Sequence, residues 1–137
     1  MSYMTNGLTF NTLRQANVLR ASKAEAYNEC EKWGHAQWMQ ALVGEVGELA
    51  NFLKKVDRGD FLIESISEDI ANELADIQTY LDLLANHLNV DLGEATASKF
   101  NKVSKRIGAD VFIKYDLSDY VLDEGRAFAP QDNGSDV

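Results

Sequence analysis

Glu45, Glu48, Glu73 and Asp76 are the residues of this chain whose types and spacing can do chemistry. They form two pairs of acids inside two copies of one pattern, Leu42-Val43-Gly44-Glu45-Val46-Gly47-Glu48-Leu49 and Ile70-Ala71-Asn72-Glu73-Leu74-Ala75-Asp76-Ile77, 28 positions apart. Leu53 and Leu81 extend the match. Each pair borders an apolar stripe at i, i+4, i+7 and i+11, which is one face of a helix. Packing the two stripes together brings the four carboxylates to one border of the core. Such a set of oxygen donors suits a hard divalent cation, Mg²⁺ or Mn²⁺. Acids on a helix usually form a solvated face, and like charges at this spacing cost about 0.2–0.5 kcal/mol per pair. One Glu-x-x-Glu carries little weight. Two in matched phase beside matched stripes point to a metal site.

Long helices have to carry these residues, and the sole proline, Pro130, leaves the body free for them. Four are predicted. The first covers roughly Phe10 to Glu31, with Thr9 as N-cap and Trp33-Gly34 as its end. The second covers roughly Ala36 to Val56, with Lys54 and Lys55 complementing its C-terminal dipole. The third covers roughly Ser67 to Asn89, entered through a Ser65–Glu68 capping box. The fourth covers roughly Leu92 to Ile107, capped by Asp91 and stopped by Gly108. Val111–Tyr115 reads as a short strand or an extended arm, and Gln131–Val137 as a disordered tail. The fold class expected is therefore all-α, a four-helix-bundle-like core with a short irregular C-terminal arm.

At 137 residues and 45% hydrophobic content the chain fits one globular domain. A net charge of −9 argues against a nucleic-acid groove or an anionic membrane as partner. It leaves room for a phosphate substrate, because bound cations invert the local sign. Cys30 stands alone, so no intrachain disulfide and no cysteine-based zinc site is expected. The first seven residues lack the basic and apolar regions of a signal peptide, and no apolar run is long enough to span a membrane. A cytoplasmic setting is the expectation.

The sequence from about Thr9 to Gly108 resembles the all-α nucleoside triphosphate pyrophosphohydrolases, specifically the MazG-like branch. Glu45-x-x-Glu48 followed by Glu73-x-x-Asp76 carries the resemblance. On that basis residues 1–110 are expected to form a MazG-like helical domain and 111–137 an arm and flexible tail. Many members have a further acid directly before the first pair, where this chain has Gly44. The resemblance implies Mg²⁺-dependent hydrolysis of a (deoxy)nucleoside triphosphate between its α and β phosphates, releasing monophosphate and pyrophosphate. Mn²⁺ is a possible substitute. The metal and catalytic set maps onto Glu45, Glu48, Glu73 and Asp76, with Glu45 or Glu48 accepting a proton from water. Members also meet the phosphates through a Lys/Asn segment on the fourth helix, which maps onto Lys99, Asn101 and Lys102. A homodimer or dimer of dimers, with the nucleotide pocket near a subunit interface, is implied as well.

Other residues keep two readings open. The cations Lys99, Lys102, Lys105 and Arg106 either meet phosphate or complement a helix dipole. Trp33, His35 and Trp38 flank the start of the second helix and either stack on a nucleobase or pack in the core. Asn17, polar on the first helix, is a candidate for the same pocket. His35 and His87 lack the Glu-x-x-His spacing of di-iron bundles, and oxygen ligands suffice for Mg²⁺, so they are not expected to be metal ligands. The expected activity is general triphosphate cleavage with dGTP as first substrate. Three alternatives remain: a dUTP-type diphosphatase, a diphosphatase of damaged nucleotides, or a catalytically silent metal-binding helical module.

Overall fold

A computed structural model describes residues 7–115, so the expected C-terminal tail lies outside the described residues. Within them are four α-helices: α1 (Phe10–Lys23), α2 (His35–Asp57), α3 (Ser67–His87) and α4 (Leu92–Ile107). Two 3-10 segments, Glu25–Lys32 and Ile63–Ile66, connect them. The all-α architecture agrees with the expectation from sequence. No strand forms among the described residues; Val111–Tyr115 is irregular.

Helix α2 pairs antiparallel with α3, and this hairpin is the centre of the fold. Trp38, Leu42, Leu83 and Ala85 are buried along it, and Ile66 anchors the approach to α3. Helix α1 lies across α3, and α4 meets α1. The apolar stripes are only partly covered: Leu74 is 53% exposed and Val46 45%. Leu42 of the first stripe is buried, and Leu49, Ile70, Ile77 and Leu81 are half-buried, so the stripes fill the seam in part.

Polar contacts fasten α1. Asn17 is its one fully buried residue. Asn17 Nδ2 donates to Asp82 Oδ2 at 2.9 Å, and Arg14 Nε donates to Asp82 Oδ1 at 3.0 Å. Arg14 also reaches the carbonyl of Val90 at 3.0 Å, which ties α1 to the α3–α4 loop. Asp82 is 1% exposed, and both of its oxygens are satisfied. Burial of a carboxylate on these terms is affordable, because donors replace the lost water.

Several helix limits differ from expectation. The first helix stops at Lys23, and Ala24 turns extended. No residue of Glu25–Lys32 is buried. Without an apolar face to pack, and with Glu25, Glu29 and Glu31 crowding the negative end of α1, an α-helical continuation has nothing to hold it. Thr9 caps α1 as expected, accepting from Thr12 N at 3.1 Å. The Ser65–Glu68 capping box does not form. A 3-10 turn runs straight into α3, so the serine hydroxyls donate backwards instead, Ser65 Oγ to Leu62 O at 2.7 Å and Ser67 Oγ to Glu64 O at 3.3 Å. Asp91 caps α4 through Glu94 N at 3.0 Å, and Gly108 ends it with a left-handed φ of 71°.

The segment after α4 folds back along it. Asn101 Nδ2 donates to Ile113 O and Asn101 Oδ1 accepts from Ile113 N, both at 2.8 Å. The side chain thus substitutes for a neighbouring strand. Tyr115 Oη donates to Asp91, and its ring lies where a Cβ on Gly93 would come within 2.9 Å. A side chain at 93 would have to push the Tyr115 ring aside.

Candidate functional site

The antiparallel register of α2 and α3 sets Glu45 opposite Asp76 and Glu48 near Glu73. One carboxylate oxygen from each of Glu45, Glu73 and Asp76 lies within 4.8 Å of the others. Glu48 is more exposed, yet its charge acts on both Glu45 and Glu73. The structure therefore brings the four acids to one place on the seam, with Glu48 at the rim.

The electrostatics follow from crowding like charges beside an apolar wall. Partial burial, then the charges of Glu48 and Asp76, push the Glu45 carboxyl above its ordinary value. Burial also raises Glu73, helped by the charge and close approach of Glu48 and then by Glu45 and Asp76. Glu73 Oε2 is buried and has no hydrogen-bond partner. No lysine or arginine figures among the charges acting on Glu45 or Glu73. A buried carboxylate oxygen without a donor is costly. A hard divalent cation offers what this oxygen lacks, and the donor set is all carboxylate, which Mg²⁺ and Mn²⁺ accept. The residues fit such an ion. Nothing stands within 4 Å of a Cβ placed on Gly44, so packing does not forbid an acid there.

Two turns before Glu45 on the same face of α2, the aromatic residues gather. Trp33 and Trp38 meet edge to face at 4.9 Å between ring centroids. His35 and His87 do the same at 4.9 Å, with His35 Nδ1 and His87 Nε2 2.9 Å apart. The His87 ring is 6.2 Å from that of Trp38. Trp33, His35 and Trp38 are thus brought together as one cluster. His87 joins it from the last turn of α3. Its position opposite His35 in an antiparallel hairpin is the signal that sequence alone held.

Asn17, Lys99, Asn101 and Lys102 stand elsewhere. The Asn17 amide is committed to Asp82 inside the core. Lys99 and Lys102 are exposed on α4, which packs on α1 rather than along the seam. Both polar atoms of the Asn101 side chain are held by Ile113. Burial and the neighbouring Glu29 push the Cys30 thiol above its usual range, which disfavours a thiolate nucleophile. No helix among the described residues is long and apolar enough to cross a membrane.

Comparison with known proteins shows the family. The chain is 39% identical over 67 residues to the Gene 37 protein of Mycobacterium phage L5, a stretch that covers 47% of this chain and 59% of the phage protein. No solved structure matches the chain. The sequence pattern of the MazG nucleotide pyrophosphohydrolase domain matches residues 33–109, a span that contains both acid pairs and more than half of the chain. A match of that extent, over helices that bring the acids together, makes the chain a member of the MazG nucleotide pyrophosphohydrolase family.

Proposed function

We propose that the chain hydrolyses (deoxy)nucleoside triphosphates between the α and β phosphates, releasing monophosphate and pyrophosphate, with Mg²⁺ held by Glu45, Glu48, Glu73 and Asp76. The observation that carries this reading is the buried, partnerless Glu73 Oε2 at the centre of the acid cluster. When bound, a hard divalent cation neutralises phosphate charge and makes water in the site easier to deprotonate. Glu45 or Glu48 is placed to take that proton as water attacks the α phosphorus in line. The partly buried seam excludes water on one side, which strengthens each of these interactions.

Lys99 and Lys102 supply positive charge for the phosphates in this reading, and Asn101 joins them when the Ile113 backbone releases its amide. Their distance in the fold from the acid seam fits a pocket completed at an interface between two copies of the chain, as a homodimer or dimer of dimers. Val43, Val46 and Leu74, each about half exposed beside the acids, support such an interface. Trp33 and His35, packed beside the buried Trp38, form an aromatic edge at the start of α2 suited to stack on a base. A purine deoxynucleotide such as dGTP is the first substrate to try.

Pyrophosphate release from a panel of triphosphates, including dUTP and oxidised dGTP, with and without Mg²⁺, tests the proposal. Phosphorus NMR identifies the products. Monophosphate and pyrophosphate are expected. Activity confined to dUTP or a damaged nucleotide narrows the substrate class. Diphosphate and orthophosphate as first products overturn the reaction assigned, and silence on the whole panel leaves a metal-binding helical module.

A further inference from the structure

The segment that follows α4 is fixed by its backbone and leaves its apolar side chains outside. Asn101 holds the amide and the carbonyl of Ile113, both at 2.8 Å, and Ala109 N donates to Ser104 O at 2.9 Å, so residues 109–113 run back along α4. Over this stretch and the end of the helix, Ile107 is 66% exposed, Val111 59% and Phe112 50%. Cations surround them. From Lys99 to Lys114 the chain carries five lysines and arginines and a single acid, Asp110. Lys102, Lys105 and Arg106 are exposed, and neither ion pair among the described residues involves them. The carbonyl end of α4 accounts for positive charge at Lys105 and Arg106. It does not account for Lys114, nor for apolar side chains set among the cations. A surface of this composition fits a partner that is acidic and apolar at once.

The next stretch of the same chain has that composition. Residues 116–124 contain four acids, Asp116, Asp119, Asp123 and Glu124, and no lysine or arginine. Leu117, Tyr120, Val121 and Leu122 lie between them. We infer that residues 116–124 dock on this surface of their own chain, setting their carboxylates against Lys102, Lys105 and Arg106 and their apolar side chains against Ile107, Val111 and Phe112. Reach allows it. The Tyr115 hydroxyl donates to Asp91 at 2.9 Å, which pins the start of the segment at the first turn of α4. From there Arg106 lies about 20 Å along the helix, whereas nine residues at full stretch span about 30 Å. The tether favours this occupant over a separate molecule, because a segment joined so closely meets the patch at a high effective concentration. Each exposed ion pair contributes little alone. Several of them together with the burial of three apolar side chains contribute enough to hold the segment down. Where Lys102 takes substrate phosphate, the acids stand in for that phosphate and have to leave before it binds. This competition rests on the function proposed above; the docking does not.

Lysine acylation of the full chain, read by mass spectrometry without nucleotide or metal, tests the docking apart from any hydrolysis. The probe is a water-soluble N-hydroxysuccinimide ester, and Lys54, exposed on α2, is the internal standard. Lys102 and Lys105 are expected to react about threefold more slowly in the parent than in the variant Asp119→Asn/Asp123→Asn/Glu124→Gln, and to lose this protection in about 0.5 M NaCl, which screens exposed pairs. Leu122→Ser keeps every charge and should weaken the protection as well, because it removes part of the apolar contact. Equal reactivity in the parent and the charge-neutralised variant overturns the docking. So does protection that appears only as protein concentration rises, which assigns the patch to a second copy of the chain. The amides keep the size of the acids they replace, so the variant is expected to fold as the parent does, as circular dichroism can verify.

Discussion

Glu73 and Asp82 sit on the same helix, two and a half turns apart, and their surroundings are opposite. Asp82 is buried with a donor for each oxygen, the Arg14 guanidinium and the Asn17 amide. Glu73 has a buried oxygen with no donor and three acids for neighbours. A carboxylate enclosed for the sake of the fold arrives with its partners from another helix. One enclosed among its own kind is left for a ligand. The contrast separates a structural acid from a functional one without reference to any relative, and it can be tested directly.

The largest expected effect is on the structural side. Asp82→Ala leaves the Arg14 guanidinium and the Asn17 amide without an acceptor and detaches α1 from α3. Breaking a buried ion pair by removing one partner costs about 3–5 kcal/mol. The lower end applies here, because the Arg14 side chain keeps 18% of its exposure. Urea denaturation of the metal-free protein measures it. Glu73→Gln should move the same measurement the other way, since an amide in place of the carboxylate removes repulsion and supplies a donor. A loss of similar size in both variants would erase the distinction between the two acids.

On the functional side the ranking reverses. Glu73→Gln and Glu48→Gln should each lower kcat by on the order of a hundredfold or more, about 2.7 kcal/mol of transition-state stabilisation. Pyrophosphate release at saturating substrate measures this, with circular dichroism to confirm the fold. Near-parental activity in both would mean that the acid cluster does not hold the catalytic cation. Lys102→Ala should act more gently and mainly on KM, weakening substrate binding by roughly 1.5–3 kcal/mol, the range for a hydrogen bond to a charged group. A pure kcat effect there would move Lys102 from ground-state binding to the reacting phosphate.

How much of this the sequence carried depends on the kind of force involved. The acids and the α2–α3 pair were legible because repetition, helical phase and charge are all local patterns. The cap at Asp91 and the stop at Gly108 were legible for the same reason. The docking of α1 was not. Its sequence reading rested on the helix range and the Thr9 cap, whereas the buried residue that docks it is Asn17 and the partner lies 65 positions away. Asp82 within Leu81-Asp82-Leu83-Leu84 was the clue, an acid in an apolar run that has to find a donor. The break after Lys23 was equally hidden, because nothing in Glu25–Lys32 states that it will lack a surface to pack against. Asn101 carried no local sign of its second role, the clasp of the following segment, because its partner Ile113 lies twelve positions on.

The smallest expected effect discriminates best, because it changes sign with the metal. Glu45 and Glu73 hold protons more tightly in the folded chain than at their ordinary value of 4.5. A carboxyl with a raised folded value stabilises the fold when protonated. Its contribution is complete below the ordinary value and is lost as pH rises through the raised one. Without metal, the stability of the parent relative to Glu73→Gln should therefore fall as pH climbs out of the carboxylate range. Mg²⁺ binds the ionised acids and raises the melting temperature by binding the native state. With Mg²⁺ present the same difference should rise with pH, and protons should displace the ion as pH falls. Asp82 is common to both proteins and cancels from the comparison. Melting temperatures of the two proteins from pH 4 to 7, in chelator and in Mg²⁺, give the four curves. Opposite slopes in the two media identify Glu73 as an acid that waits for a cation. Parallel slopes would mean that the buried oxygen is merely tolerated.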